Sequence, residues 1–336
     1  MLCVYQGHYA YLFYKENFAD CDMQLISYFE FINAHIAGNT EVVSHFLAPG
    51  TVFNLPIYSK KPVTGIISRL FDIFATYNVS TKAYNLIHVA DESNNFNHPR
   101  LLSFYTLWKK VYRHNWHSTQ EYKELHSSGQ LDWFPLGHLR SPEVPFHQLI
   151  PSSLRKLNVT FRGNSNTNRR RMDHFSEVQT VLGIKITGQV FSSAYHSGDP
   201  TAGDYIKEMQ DSRFCLNIRG RTPECHRFYE SLDCGCIPVF IDQFMNFNYK
   251  SQFKGWKSKL QEVTWRRGHD LPFIWARDVK HFAEIYHDLI DSGPTGFGRL
   301  DAMQSESLEW WAAAKLHIKS KVENSTCIFQ ASAPEV

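Results

Sequence analysis

The sequence predicts an α/β protein of two lobes, each organised around a parallel sheet, and three observations lead there. The chain has 336 residues, 43% of them apolar and 15% aromatic, enough for two cores at the usual ~100–200 residues per domain. Between Asp211 and Asp242 it carries a strand, a loop, a helix and a second strand, the crossover unit that builds a parallel sheet in roughly 30 residues. Upstream, a short apolar strand ending on two carboxylates is followed by a proline-led helix, the same alternation.

The elements follow in order along the chain. The first 80 residues mix apolar stretches without a clear period and are expected to form a helix-rich opening to the first lobe. Ala83 to Ala90 is short, apolar and stops at Asp91-Glu92, as a buried strand does when it delivers carboxylates at its carboxyl end. Pro99 opens a helix expected to run through Arg113, with Leu101, Leu102, Tyr105, Leu107, Trp108 and Tyr112 near helical spacing. Trp133 to Gly137 gives a further short strand and turn, and the polar, proline-bearing stretch from Ser141 to Arg155 is the linker candidate. The first lobe is thus expected over residues 1–150 and the second over 151–336.

In the second lobe, the strand Asn158 to Phe161 runs into Arg162-Gly163-Asn164, and Arg169, Arg170 and Arg171 head a helix expected to reach about Val181. Phe214, Leu216 and Ile218 alternate with Cys215 and Asn217 as a strand does, until Arg219-Gly-Arg-Thr-Pro223 breaks the pattern. A helix is expected from Glu224 to Asp233, closed by Gly235 in the left-handed conformation, with Cys236 to Ile241 as the next buried strand. Leu271-Pro-Phe-Ile274 leads into a helix through Leu289, and Trp310-Trp311 are expected to pack the last helical stretch against the rest. The sequence contains no internal repeat and no low-complexity tract.

Composition excludes several function classes. With 35 basic and 33 acidic residues, no global field draws the chain to nucleic acid or to an anionic membrane. Nucleic-acid binding has only Arg169 to Arg171 behind it, without interleaved aromatics. No apolar run reaches the ~18 residues of a membrane span, and the opening residues lack a charged segment followed by a long apolar one, so the expectation is a soluble chain. The seven cysteines are an odd set, and Cys234 and Cys236 lie too close for a zinc-knuckle spacing. Structural or free thiols are expected, not a metal site. No G-x-G-x-x-G follows a strand with a later acidic residue, which argues against a different α/β class such as a small-molecule oxidoreductase.

The crossover unit carries the chemistry. Its loop and helix N-terminus meet at the carboxyl edge of the sheet, where backbone N–H groups and the helix dipole favour an anion. Arg227 lies in the first turn of that helix, and Glu230, three residues later, sits about 4.5 Å further along the axis on nearly the same face. An arginine at the mouth suits a pyrophosphate, and a carboxylate one turn deeper suits the two hydroxyls of a ribose. On spacing alone, an ordinary surface ion pair is the commoner outcome.

Ser212-Arg-Phe-Cys-Leu216, Gly220, Arg227, Glu230 and Gly235-Cys-Ile-Pro-Val239 resemble, in order and spacing, the donor-binding signature of the exostosin-like glycosyltransferases. His88-Val-Ala-Asp-Glu92, Tyr112-Arg-His-Asn-Trp116 and Pro135-Leu-Gly137 resemble its first-lobe blocks. Phe161-Arg-Gly163 with Arg169 to Arg171 resembles the start of its second lobe, and Leu271 to Ile274 the stretch after the donor motif. The resemblance covers roughly Asn85 to Ile290, and within the family it leans toward the ribitol xylosyltransferase branch. One departure is Cys225-His226 directly before Arg227, where family members commonly carry a small serine-containing approach.

The resemblance implies a GT-B architecture, two Rossmann-like lobes facing each other across a cleft, with a nucleotide sugar on the second lobe and an acceptor entering from the first. It implies a UDP-sugar donor, a glycan or glycoconjugate acceptor, inversion at the anomeric carbon and no catalytic metal or other cofactor, arginines stabilising the departing diphosphate instead. The donor-binding candidates are then Arg162, Gly163, Arg170, Arg219, Gly220, Arg227 and Glu230. Asp91 or Glu92 is the candidate base, a helix cap or loop carboxylate being the alternative for either. His88, Trp116 and His138 are candidates for the acceptor side, core packing being the alternative. A non-catalytic nucleotide-sugar-binding or structural relative of the same fold is the competing function. Enzymes of this kind normally carry an N-terminal anchor in the Golgi or ER, so a luminal location is expected if the sequence is a piece of such a protein and a cytoplasmic one if it is complete. The sequons at Asn78, Asn158 and Asn324 bear glycans only in the first case.

Overall fold

The computed structural model describes residues 2–5, 24–48, 52–54, 63–88, 99–114, 116, 119–137, 146–191, 202–245, 247–263 and 270–326. The chain divides into two compact units, Met1–Leu136 with Lys315–Val336, and Gly137–Ala314. The division falls after Leu136, where residue 150 was expected, and the C-terminal segment groups with the first unit.

The first unit is a six-stranded sheet of β1 (Leu2–Tyr5), β2 (Gln24–Ser27), β3 (Val52–Asn54), β4 (Asn85–His88), β5 (Lys110–Arg113) and β6 (Leu131–Trp133). Their order is β2-β1-β3-β4-β5-β6, with every neighbouring pair parallel. Among the described residues it is accompanied by α1 (Tyr28–Ile36), α2 (Thr40–Phe46), α3 (Val63–Thr76), α4 (Pro99–Tyr105) and α5 (Gln120–Ser127). The opening is therefore helical, as expected, but it also supplies three strands that the sequence does not reveal. Strands of three or four residues are too short for a period of two to emerge. Phe53, Phe74, Tyr84 and Trp108 pack ring against ring at 5.3–6.0 Å and fill the core.

The helix expected from Pro99 to Arg113 stops at Tyr105, and its last four residues, Lys110–Arg113, are β5. Distant side chains take the carbonyls at its end: Gln130 Nε2 donates to Tyr105 O (3.2 Å) and Trp108 O (2.6 Å), and Thr81 Oγ1 to Leu107 O (2.6 Å). The Lys109 N–H donates to Tyr84 O (3.0 Å), launching the next strand beside β4. Local spacing favours helix, and partners that are remote in sequence overrule it.

The second unit holds β7 (Leu157–Asn164), β8 (Thr187–Phe191), β9 (Ser212–Leu216), β10 (Ile237–Ile241) and β11 (Ile274–Ala276), in the order β11-β10-β9-β7-β8 and all parallel. Its helices are α6 (Arg171–Leu182), α7 (Ala202–Asp211), α8 (His226–Asp233), α9 (Phe247–Glu262), α10 (Val279–Asp291) and the start of α11 (Gly293–Thr326). The expected crossover is present as β9, α8 and β10, with Gly235 at φ +63° between helix and strand. Val159, Phe161, Phe214, Leu216, Val239 and Ile241 pack with Phe175, Val178, Phe282 and Leu289 on one side of this sheet. Phe228, Phe240, Trp256, Phe273 and Trp310 form a second, aromatic cluster.

Arg155, read from sequence as the end of a linker, is instead buried in this unit. Its guanidinium donates to the carbonyls of Ile150 (3.0 Å), Met209 (3.1 Å), Ser212 (2.8 Å) and Cys234 (2.9 Å). Trp311, as expected, packs inward, its indole N–H donating to Asp233 Oδ1 at 2.7 Å.

Counted within the second unit, the strand order is 2-1-3-4-5, a doubly wound parallel sheet. The chain leaves β7 toward one edge and returns through β9 to build toward the other, so the sheet's switch point lies between the carboxyl ends of β7 and β9. Such crevices are where open α/β sheets bind ligands.

Candidate functional site

At this switch point β7 continues past Phe161 to Asn164, which carries Arg162 and Gly163 into the sheet edge, while β9 ends at Leu216 and passes into Asn217–Cys225. The helix expected from Glu224 begins at His226, with Cys225 as its N-cap. Arg227 is therefore in the first turn of α8, and it is buried. Its guanidinium lies 4.5 Å from the Phe161 ring centroid and donates to the carbonyls of Arg162 and, at 3.5 Å, Ile218. It thereby joins the ends of the two switch-point strands. Burial opposes its charge, but Tyr205, Cys225, Cys215 and Glu230 around it hold the guanidinium above its ordinary pKa, so it stays a cation. Its Nε has no hydrogen-bond partner among the described residues.

A second guanidinium does the same work. Arg171, at the head of α6, donates from Nε to Arg219 O (3.0 Å), from Nη1 to Asn164 O (2.9 Å) and Thr167 Oγ1 (2.8 Å), and from Nη2 to Ile218 O (3.3 Å). Gly163 sits against both arginines. A Cβ there would stand 3.1 Å from Arg171 Nη1, 3.1 Å from Arg227 Nη2 and 2.7 Å from Phe161 Cζ, and one on Gly220 would stand 3.1 Å from Arg171 Nη2. Only glycine permits this approach at residue 163. Of the three basic residues at 169–171, Arg171 is the one turned inward; Arg169 and the donor-site candidate Arg170 are exposed.

Glu230, one turn along α8 from Arg227, is buried and accepts a hydrogen bond from the Tyr205 hydroxyl at 2.7 Å on Oε2. Tyr205 belongs to α7, and from the same helix Glu208 chelates Arg162, with Nε to Oε2 at 2.8 Å and Nη2 to Oε1. The Arg162 side chain is thus committed to an ion pair, while its carbonyl serves Arg227. Arg219 is buried, donates to Gly220 O (3.1 Å) and accepts at its carbonyl from Asn168 Nδ2 (3.1 Å). His226 Nδ1 donates to Gly137 O (2.7 Å), so in the neutral ring Nε2 carries no proton and a phosphate contact through it requires the imidazolium. Burial raises the Cys225 thiol, Arg227 and Arg171 opposing it, and keeps it protonated.

In the first unit, His88 and Trp116 are buried. His88 closes β4 with Nδ1 2.5 Å from the Tyr105 hydroxyl, which also receives Arg113 Nη1 at 2.5 Å. Trp116 packs edge-on against Tyr122 and His126. Asp91, Glu92 and His138 lie outside the described residues. No three His, Cys, Asp or Glu converge as a metal site among the described residues, in which Cys215, Cys225, Cys234 and Cys236 are free. None of the described helices is long and apolar enough to cross a membrane.

Sequence reasoning missed Arg171 as the inward arginine, and it missed β8 and α7 with Tyr205 and Glu208. The signal for α7 was present, since Tyr205, Ile206 and Met209 recur at helical spacing between the polar residues Asp204, Lys207 and Glu208.

The family model of the Exostosin GT47 domain matches residues 88–258 of the chain, 171 of its 336 residues. That span runs from the end of β4 into α9 and contains the whole switch point. No curated protein sequence matches the chain.

Proposed function

The chain belongs to the Exostosin GT47 family and is a glycosyltransferase, and from that premise we propose that it moves a sugar from a UDP-sugar to a glycan hydroxyl with inversion and without a catalytic metal. In this reading the two units are the lobes of a GT-B enzyme, the second holding the donor and the first receiving the acceptor. What carries it is the pair Arg227 and Glu230, a buried cation and a buried carboxylate one turn apart on α8, at the switch point of a parallel sheet.

Arg227 meets the diphosphate, and Glu230 accepts the ribose hydroxyls. The acceptor oxygen attacks the anomeric carbon from the face opposite the diphosphate, the bond from that carbon to phosphate oxygen breaks, and UDP leaves with the bonding electrons. Asp91 or Glu92 takes the acceptor's proton. Arginine charge at the sheet edge, with Arg171 beside Arg227 at Gly163 and Arg219 in the loop after β9, stabilises the departing diphosphate in place of a metal ion.

The test is a thermal-shift titration with UDP, GDP and ADP, with and without divalent metal, on the wild type and on Arg227→Ala. A metal-independent rise in melting temperature selective for UDP and lost in the variant supports the donor site, ligand at a hundredfold over Kd being worth about 2.7 kcal/mol. Equal shifts with all three nucleotides, or none, overturn it. A screen of UDP-sugars for transfer then identifies the donor.

A further inference from the structure

Two contacts from one face of α7 reach the donor-site candidates. Tyr205 and Glu208 are three residues apart, hence neighbours on that face. Tyr205 hydrogen-bonds Glu230 Oε2 at 2.7 Å, and Glu208 chelates Arg162, whose carbonyl accepts from Arg227. The hydroxyl contact is not needed to close the core, because Tyr205 already packs with Met209, Cys215, Cys234 and Cys236. The hydroxyl adds a directed polar contact to a carboxylate that is itself buried.

We propose that Tyr205 is a positioning residue for nucleotide ribose, its hydroxyl fixing the orientation of the Glu230 carboxylate so that Glu230 distinguishes a ribose from a 2′-deoxyribose. The inference rests on the reading of Glu230 as the ribose acceptor and adds the group that orients it. A carboxylate gripping a vicinal diol accepts two hydrogen bonds in its own plane, and it does so best when rotation about its last bond is stopped. A phenol donating to Oε2 stops it. The phenol is a dependable donor there: burial foremost, with the Glu230 charge adding to it, drives its pKa well above the ordinary value, so it keeps its proton at neutral pH. Phenylalanine at this position retains the ring packing and loses only the proton.

The experiment measures affinity for UDP and for 2′-deoxy-UDP by calorimetry on the full chain, for the wild type, Tyr205→Phe, Glu230→Gln and the double variant. The wild type is expected to prefer UDP by about tenfold, the worth of one hydrogen bond to a charged group. Tyr205→Phe is expected to cut that preference at least about threefold, and to add nothing in the Glu230→Gln background. Tyr205→Met, which removes the hydroxyl with a different shape, repeats the measurement if the first variant fails to melt cooperatively. A preference that survives both Tyr205 substitutions overturns the inference and leaves the ribose reading of Glu230 standing. A wild type that binds both nucleotides equally overturns that reading, and the inference with it.

Discussion

Arg171 and Arg227 bring their guanidinium groups to the same distance, 3.1 Å, from the point where a β-carbon on Gly163 would stand. The two come from different helices, α6 and α8, yet share the Phe161 ring, whose centroid is 5.8 Å and 4.5 Å from their guanidinium carbons. Two buried like charges held together at a sheet edge repel each other unless a negative group offsets them, and Glu230 is among the groups around Arg227 that favour its charge. In the proposed function the diphosphate is a further negative group at this edge.

Gly163→Ala tests how tightly this arrangement is set. The added methyl collides with the Phe161 ring edge at 2.7 Å and crowds both arginines, so the strand, the ring or both guanidiniums must shift. The variant is expected to lose about 1–3 kcal/mol of stability and, with the arginines displaced, to bind UDP more weakly. Urea denaturation and calorimetry on one preparation read both effects; unchanged values in both would show that the glycine is incidental.

Arg171→Lys keeps the charge and removes the fork. One ammonium cannot replace a guanidinium that donates to three backbone carbonyls and one hydroxyl across two loops. The expected cost is about 2 kcal/mol or more in the unfolding free energy, whereas Arg170→Lys, at an exposed position, is expected to stay within about 0.5 kcal/mol of wild type. Similar stabilities for the two variants would contradict the inward placement of Arg171.

That contrast shows where the sequence is legible and where it is not. Three adjacent arginines announce a basic helix start, and helical geometry says that only some of them face inward, but which one depends on carbonyls at Asn164, Ile218 and Arg219 that belong to other elements. The crossover from β9 through α8 to β10 is legible because its strands alternate or run apolar and its glycine sits where a left-handed residue is required. β5 is not legible, because Gln130, Thr81 and Tyr84 end α4 from a distance. Arg155 reads as part of a polar linker for the same reason: its four carbonyl partners are visible only after folding. Arg227 and Glu230 stand out through the resemblance of their surroundings to the family's donor-binding signature, since spacing alone favours a surface pair, whereas Tyr205 and Glu208 acquire meaning only once α7 lies beside them.

Arg155→Leu is expected to be among the costliest single substitutions in the second unit. It leaves the carbonyls of Ile150, Met209, Ser212 and Cys234 without the donor that gathers them, in an interior that a leucine cannot hydrate. A loss of about 3 kcal/mol or more is expected, visible in urea denaturation. A loss below about 1 kcal/mol would mean that these carbonyls find other partners.

Asp132 gives the first unit a pH dependence of known sign. Burial alone would raise its carboxyl, but the ammonium groups of Lys321 and Lys110 and the Trp133 N–H outweigh it and hold the group below the ordinary carboxylate range. The contacts are Lys321 Nζ at 3.2 Å and Lys110 Nζ at 3.6 Å from Oδ2, and the Trp133 N–H at 2.8 Å from Oδ1. Because the folded-state pKa is the lower one, the contribution is complete above the unfolded value of about 3.9. It falls away as the pH drops from there through the folded-state pKa, since the unfolded chain takes up the proton first. Asp132→Asn is therefore expected to cost about 1–2 kcal/mol at pH 7, with the two lysines partly solvent-screened, and clearly less at pH 2.5. Urea denaturation of both proteins at the two pH values measures the difference, and a cost that does not shrink on acidification would mean that the Asp132 charge adds nothing to the stability of this unit.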